Sequence, residues 1–191
     1  MSIHPLHDLS ALDRYRHNGA RTPGYPPNVA RFFAPVDNVH GVLACLLSSA
    51  KQSLVVAMYG FDDPALAFVI KSKLADPNCH VQLTLDAIEA SGKHERELLA
   101  QEDYPATSIA VGHSEHGAIM HLKEVVVDGW LTICGSTNWS GSAETKQDNE
   151  LTVIADPYVA AEARARIDAI HANMLAKQPK RATHADAQRA D

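Results

Sequence analysis

Two apolar runs meet at Asp128-Gly129: Glu124-Val-Val-Val127 on one side and Trp130-Leu-Thr-Ile-Cys134 on the other. Asp and Gly both tolerate positive φ, so this pair between extended runs predicts a two-residue hairpin loop, which also sets the register. The predicted strands are Leu122 to Val127 and Trp130 to Cys134, with Val127 facing Trp130. Counting back, Lys123 faces Cys134 and His121 faces Ser136. Residues two apart on a strand share a face. His121, Lys123, Ser136 and, if the strand direction persists, Asn138 then project from one surface, with directly opposed Cβ atoms about 5 Å apart. Local rules alone gather an imidazole, an ammonium, a hydroxyl and an amide.

Around this hairpin the chain alternates between strand and helix patterns. Strands are predicted at Val29–Ala34, Ser53–Phe61, His80–Leu85, Thr107–Val111 and Leu151–Ala155. Helices are predicted at Val39–Ala50, Pro64–Leu74, Ser91–Gln101 and Pro157–Ala176. The last carries Val159, Ala163, Ile167, Ile170 and Met174 on one face, a core-packing stripe. Such alternation predicts an α/β fold, a mixed β-sheet sandwiched by helices. The domain is expected over residues 29–176, preceded by a Pro- and Gly-bearing extension over 1–28 and followed by a solvated tail over 177–191.

The gathered side chains suit a phosphate. Lys123 supplies positive charge, and Ser136 and Asn138 supply neutral donors for non-bridging oxygens. Fixed donors stabilise the charge that grows in phosphoryl transfer. A neutral His121 can attack phosphorus and form a phosphohistidine. Lys123 takes the charge-neutralising role, so no metal or other cofactor is expected. His113, His116 and His121 with Glu115 are spaced irregularly for zinc, and Lys123 would repel a cation. A carboxylate should hold the imidazole tautomer, and Glu150, at the start of the next strand, is the candidate. Asp128 is a candidate catalytic residue or simply the hairpin's turn former. Tyr59 and Phe61 read as strand-end core. Trp139 reads equally as a substrate contact.

His121-x-Lys123-x4-Asp128 followed by Gly135-Ser136-x-Asn138 resembles the signature of the phospholipase D superfamily. Phe33-Ala-Pro35, the segment Ala50 to Phe61 and Ser142-Ala-Glu-Thr-Lys146 are similar to the small, single-motif bacterial Nuc-type endonucleases of that superfamily. The resemblance covers about residues 30 to 176. It implies a phospholipase D-like fold and a metal-free phosphodiesterase working through a phosphohistidine. Glu124 departs from the usual apolar residue. The interval from Asn138 to Glu150 is about one residue long, so Asn149 is the other candidate for the orienting position.

The mechanism needs a second group to protonate the leaving oxygen and activate water. The superfamily supplies it from a second His-x-Lys motif, but this chain has one. A homodimer with two-fold symmetry would bring two His121 residues to one shared site. The expected function is a non-specific endonuclease with nucleic acid as substrate. The alternatives are a lipid phosphodiesterase or a nucleic-acid-binding module without turnover.

Composition limits the partner surface. The formal net charge is -6 at pH 7, so the whole surface is not a polyanion-binding one. Any basic cleft must be local, with Lys93, His94 and Arg96 beside Lys123 as its candidates. An odd count of 3 cysteines argues against a disulfide framework. No secretory leader pattern or membrane-length apolar run is read, which points to the cytoplasm.

Overall fold

A computed structural model describes residues 9–19, 21–89, 105 and 107–177. The predicted helix at Ser91–Gln101, with Lys93, His94 and Arg96, and the tail beyond Lys177 lie outside the described residues.

Seven strands form one mixed sheet: β1 (Val29–Ala34), β2 (Ser53–Met58), β3 (His80–Asp86), β4 (Ile109–Gly112), β5 (Lys123–Val127), β6 (Leu131–Gly135) and β7 (Asn149–Ala155), in the order β1-β7-β6-β5-β2-β3-β4. β2, β3 and β4 run parallel, while β5 is antiparallel to β2, as are β6 to β5, β7 to β6 and β1 to β7. Helices cover both faces. One face carries α1 (Val39–Ser49), α2 (Pro64–Leu74) and a short 3-10 helix at Leu9–Tyr15. The other carries α4 (Pro157–Lys177), which packs Ala160, Ala163, Ile167, Ile170 and Met174 onto Val55, Ala57, Ala110 and Val126. The stripe therefore begins at Ala160 rather than Val159. A one-turn α3 (Gly141–Thr145) follows β6.

The helix starts follow from their caps. The Asn38 side chain accepts from the Gly41 N–H at the head of α1, at 2.8 Å. The Asp63 carboxylate accepts from the Leu66 N–H at 2.7 Å, with Pro64 beside it in the first turn of α2. Part of the N-terminal extension is folded: Leu9 and Leu12 are buried in the larger core, and the Asn38 N–H donates to Tyr15 O.

The central hairpin differs from its predicted register. The loop has the expected form: Asp128 (φ 52°) and Gly129 (φ 66°) both lie at positive φ, and the Trp130 N–H closes the turn on Val127 O at 3.1 Å. The pairing of β6 starts one residue later than predicted, so Val127 opposes Leu131 and Glu124 opposes Cys134. The one-residue shift turns β6 over relative to the prediction. It places Leu131 and Ile133 in the larger core with Val125 and Val127, where the predicted register would have put Thr132 and Cys134. Burying a branched aliphatic side chain contributes about 1.5–3 kcal/mol, which decides the register.

Candidate active site

The carboxyl ends of β2, β3, β4 and β6 and the amino ends of β5 and β7 share one edge of the sheet. β2 parts there from a parallel neighbour on one side and an antiparallel one on the other. In open α/β sheets such a switch point is where ligand crevices form.

Lys123 opens β5 on the face of Val125 and Val127, opposite Met58, and only 8% of its surface is exposed. Its Nζ donates to His121 O at 3.0 Å and lies 4.8 Å from the centre of the Tyr59 ring. Burial holds the Lys123 pKa below its usual value, and the Glu89 carboxylate opposes this. The ammonium is thus poorly solvated and gains from an anion brought close. The exposed His121 packs its ring edge-on to Tyr59, centroids 4.6 Å apart. Just before it, the buried Asp86 at the end of β3 accepts from the Met120 N–H at 2.6 Å and from the Ile88 N–H at 2.9 Å. Asp86 therefore pins the segment that leads through His121 into β5.

The second half of the site hangs on the residues after β2. The Tyr59 N–H donates to Leu122 O at 3.0 Å, and one residue on, Gly60 O accepts from the Trp139 N–H at 2.8 Å. Asn138 seats against Gly60: a Cβ on Gly60 would lie 3.1 Å from Asn138 Cγ and 3.3 Å from its Oδ1. That oxygen is buried and has no partner among the described residues. Nδ2, across Cγ, is the amide group left to meet a ligand. Tyr59-Gly60 thus joins His121 and Lys123 to Asn138. His121, Lys123 and Asn138 are linked through this crossing segment, not by direct pairing across the hairpin.

Ser136 is exposed at the end of β6, past the last ladder pair, and does not oppose His121. Its Oγ donates to Asn149 Oδ1 at 2.8 Å and accepts from the Glu150 N–H at 3.1 Å. The Ser136 hydroxyl proton is therefore engaged by Asn149 at the start of β7. Gly135 (φ 156°) is required here, because a Cβ would sit 2.2 Å from Glu150 O.

Two predicted residues stand elsewhere. Asp128 is at the far end of β5 from Lys123, and its carboxylate accepts from the N–H groups of Lys51, Gln52 and Ser53 at 3.1, 2.7 and 2.9 Å. It joins the hairpin to the start of β2 and is not brought to the site. The Glu150 side chain forms an ion pair with Arg31 on the neighbouring β1, so its carboxylate is engaged away from His121. Asn149, the alternative at that position, reaches Ser136. Trp139 is buried edge-on to Phe61, centroids 5.1 Å apart, and is core rather than a substrate contact. His113 and His116 are exposed, and Glu115 pairs with Arg166.

Tyr59 and Asp86 are the site residues that sequence reasoning missed. An aromatic and an acid at the carboxyl ends of adjacent parallel strands were their available signal. No helix among the described residues is long and apolar enough to cross a membrane.

This sheet, with one His-x-Lys at its switch point, is the architecture of a phospholipase D-like domain. The chain belongs to the phospholipase D superfamily of phosphodiesterases: the family described as cardiolipin synthase, PLD-like domain, matches residues 43–171. The mitochondrial cardiolipin hydrolase of Xenopus tropicalis is 30% identical over 128 residues, 66% of this chain and 58% of that protein. The Xenopus laevis protein of the same name is 29% identical over 128 residues and is likewise covered over 58% of its length. The chain thus spans less than two thirds of these relatives. Among solved structures, Nuc from Salmonella typhimurium superposes with a TM-score of 0.63 at 20% identity, over 76% of this chain and 94% of that one. NucT from Helicobacter pylori gives 0.66 at 23% identity, over 76% and 96%.

Proposed function

We propose that the protein is a metal-independent nuclease that hydrolyses phosphodiester bonds of DNA or RNA through a phosphohistidine. The observation that supports this is the pairing of an exposed His121 with a buried Lys123, both against Tyr59, whose neighbour Gly60 seats Asn138. Lys123 draws the phosphodiester in and offsets the charge that builds on its oxygens. Neutral His121 attacks phosphorus, the P–O bond to the leaving strand breaks, and the freed oxygen takes a proton from His121 of the partner subunit. Water then attacks the phosphohistidine while the partner's His121 takes its proton, the P–N bond breaks, and both imidazoles return to their starting states. Two copies of the chain, and so a homodimer, complete this cycle. Three free cysteines suit a reducing compartment such as the cytoplasm.

A second reading is lipid phosphodiester hydrolysis, favoured by the relatives named cardiolipin hydrolase. Plasmid DNA, RNA and cardiolipin vesicles, each incubated in EDTA with the protein and with His121→Ala, separate the two. Cleavage of nucleic acid that persists in EDTA and falls at least about 1000-fold in the variant supports the nuclease. Lipid hydrolysis alone replaces it with the second reading. Activity that needs added metal, or survives in His121→Ala, overturns the mechanism.

A further inference from the structure

A second cluster of ionisable groups lies outside the machinery just described. His40 is in the first turn of α1, Asp63 caps α2, and Glu144 is in α3. His40 Nδ1 stands 2.6 Å from Glu144 Oε2 and 3.3 Å from Asp63 Oδ2, and one ligand atom from each residue falls within 4.8 Å of the others. Glu144 is 3% exposed and Asp63 6%. The other carboxylate oxygen of Glu144, Oε1, is buried with no partner among the described residues. Among the described residues no Lys or Arg is paired with these two buried carboxylates, so at most one positive charge, on a protonated His40, stands against them.

We infer that His40, Asp63 and Glu144 form a binding site for a divalent transition cation, Zn²⁺ first among them, that staples α1, α2 and α3 together. The donor set is one neutral imidazole nitrogen and two carboxylates, with Glu144 Oε1 as a further oxygen; an imidazole ligand favours zinc over magnesium, calcium and manganese. Zinc bonds of about 2.0–2.2 Å place tetrahedral ligand atoms about 3.3–3.6 Å apart. The edge from His40 to Asp63 has that length. The edge from His40 to Glu144 is a hydrogen bond and opens by under about 1 Å when a cation replaces its proton. Asp63 is already oriented, because its Oδ1 is held by the Leu66 N–H while Oδ2 turns to His40. The partly exposed His40 edge gives the ion its way in.

The staple acts on structure and takes no part in the chemistry at His121. α3 is capped by Ser140, two residues after Asn138, so the ion would steady the loop that carries the amide.

The test titrates chelator-stripped protein with ZnCl2 by calorimetry and follows thermal melting in parallel. Wild-type protein should bind one ion per chain at micromolar Kd or tighter, and its Tm should rise. Glu144→Gln, which keeps the shape of the side chain, and His40→Ala, at a partly exposed position, should each weaken binding about 100-fold and lose the rise in Tm. His121→Ala should bind as the wild type does, so failure of the proposed nuclease leaves this result readable. Absence of stoichiometric binding to the wild type, or binding unchanged in Glu144→Gln and His40→Ala, overturns the inference.

Discussion

Asp128→Ala removes the carboxylate that accepts the N–H groups of Lys51, Gln52 and Ser53. Hydrogen bonds to a charged group contribute about 1.5–3 kcal/mol each, but only when their donors cannot turn to water. Lys51 and Gln52 are exposed and can rehydrate, whereas Ser53 is half-buried. Most of one such bond and part of the other two are therefore lost. Alanine also sits poorly at φ 52°, which adds about 1 kcal/mol. The expected loss is about 3–4 kcal/mol, read as a lower urea midpoint at an unchanged slope. Asp128→Asn keeps an acceptor oxygen and tolerates the positive φ, so it should lose about 1 kcal/mol. The kcat of the folded fraction, measured in the cold, should stay within about twofold of wild type for both. If Asp128→Asn folds with normal stability and loses turnover by orders of magnitude, Asp128 works in the chemistry and the placement argued above is wrong.

Two further substitutions probe the packing behind the site. Gly135→Ala drives a Cβ into Glu150 O and should cost about 2–3 kcal/mol in chemical denaturation while raising KM through the displaced Ser136. His171 is buried between Thr84 Oγ1 and Thr107 O, and burial lowers its pKa below 6.5. The unfolded chain then takes up a proton first as pH falls through 6.5, so His171 lowers stability on the acid side and not above it. His171→Gln should flatten that part of the profile of urea midpoint against pH; an unchanged slope there would sink the assignment.

The order of elements was legible because strands and helices alternate with clear apolar periods and strong caps, as at Asp63-Pro64. The hairpin's turn chemistry was legible too, yet its register was not. Val125, Val126 and Val127 of β5 all read as interior, so that strand has no apolar-polar alternation against which Leu131-Thr132-Ile133-Cys134 could be aligned, and the turn alone suggested a register one residue off. His121 and Lys123 stood out as a motif. Tyr59 did not, because a strand-end aromatic in an apolar run looks like core until β5 is laid beside it. His40, Asp63 and Glu144 are too far apart in sequence for any spacing rule to join them. Glu150 was misplaced because a strand start carries no information about which neighbour its side chain meets.

Position 150 also shows how a residue can matter without its side chain. Its N–H is held by Ser136 Oγ, and its carbonyl accepts from the Ser136 N–H and the Thr137 hydroxyl. The main chain at that point is the peg on which the Gly135-to-Asn138 loop is hung. Many side chains would serve there equally well, but proline, lacking the N–H, would not. The same peg makes the interval between Asn138 and residue 150 a matter of reach rather than of identity. A residue inserted within α3 would bulge outward and leave the loop in place, whereas one inserted between Asn149 and Glu150 would set the loop on the wrong hook.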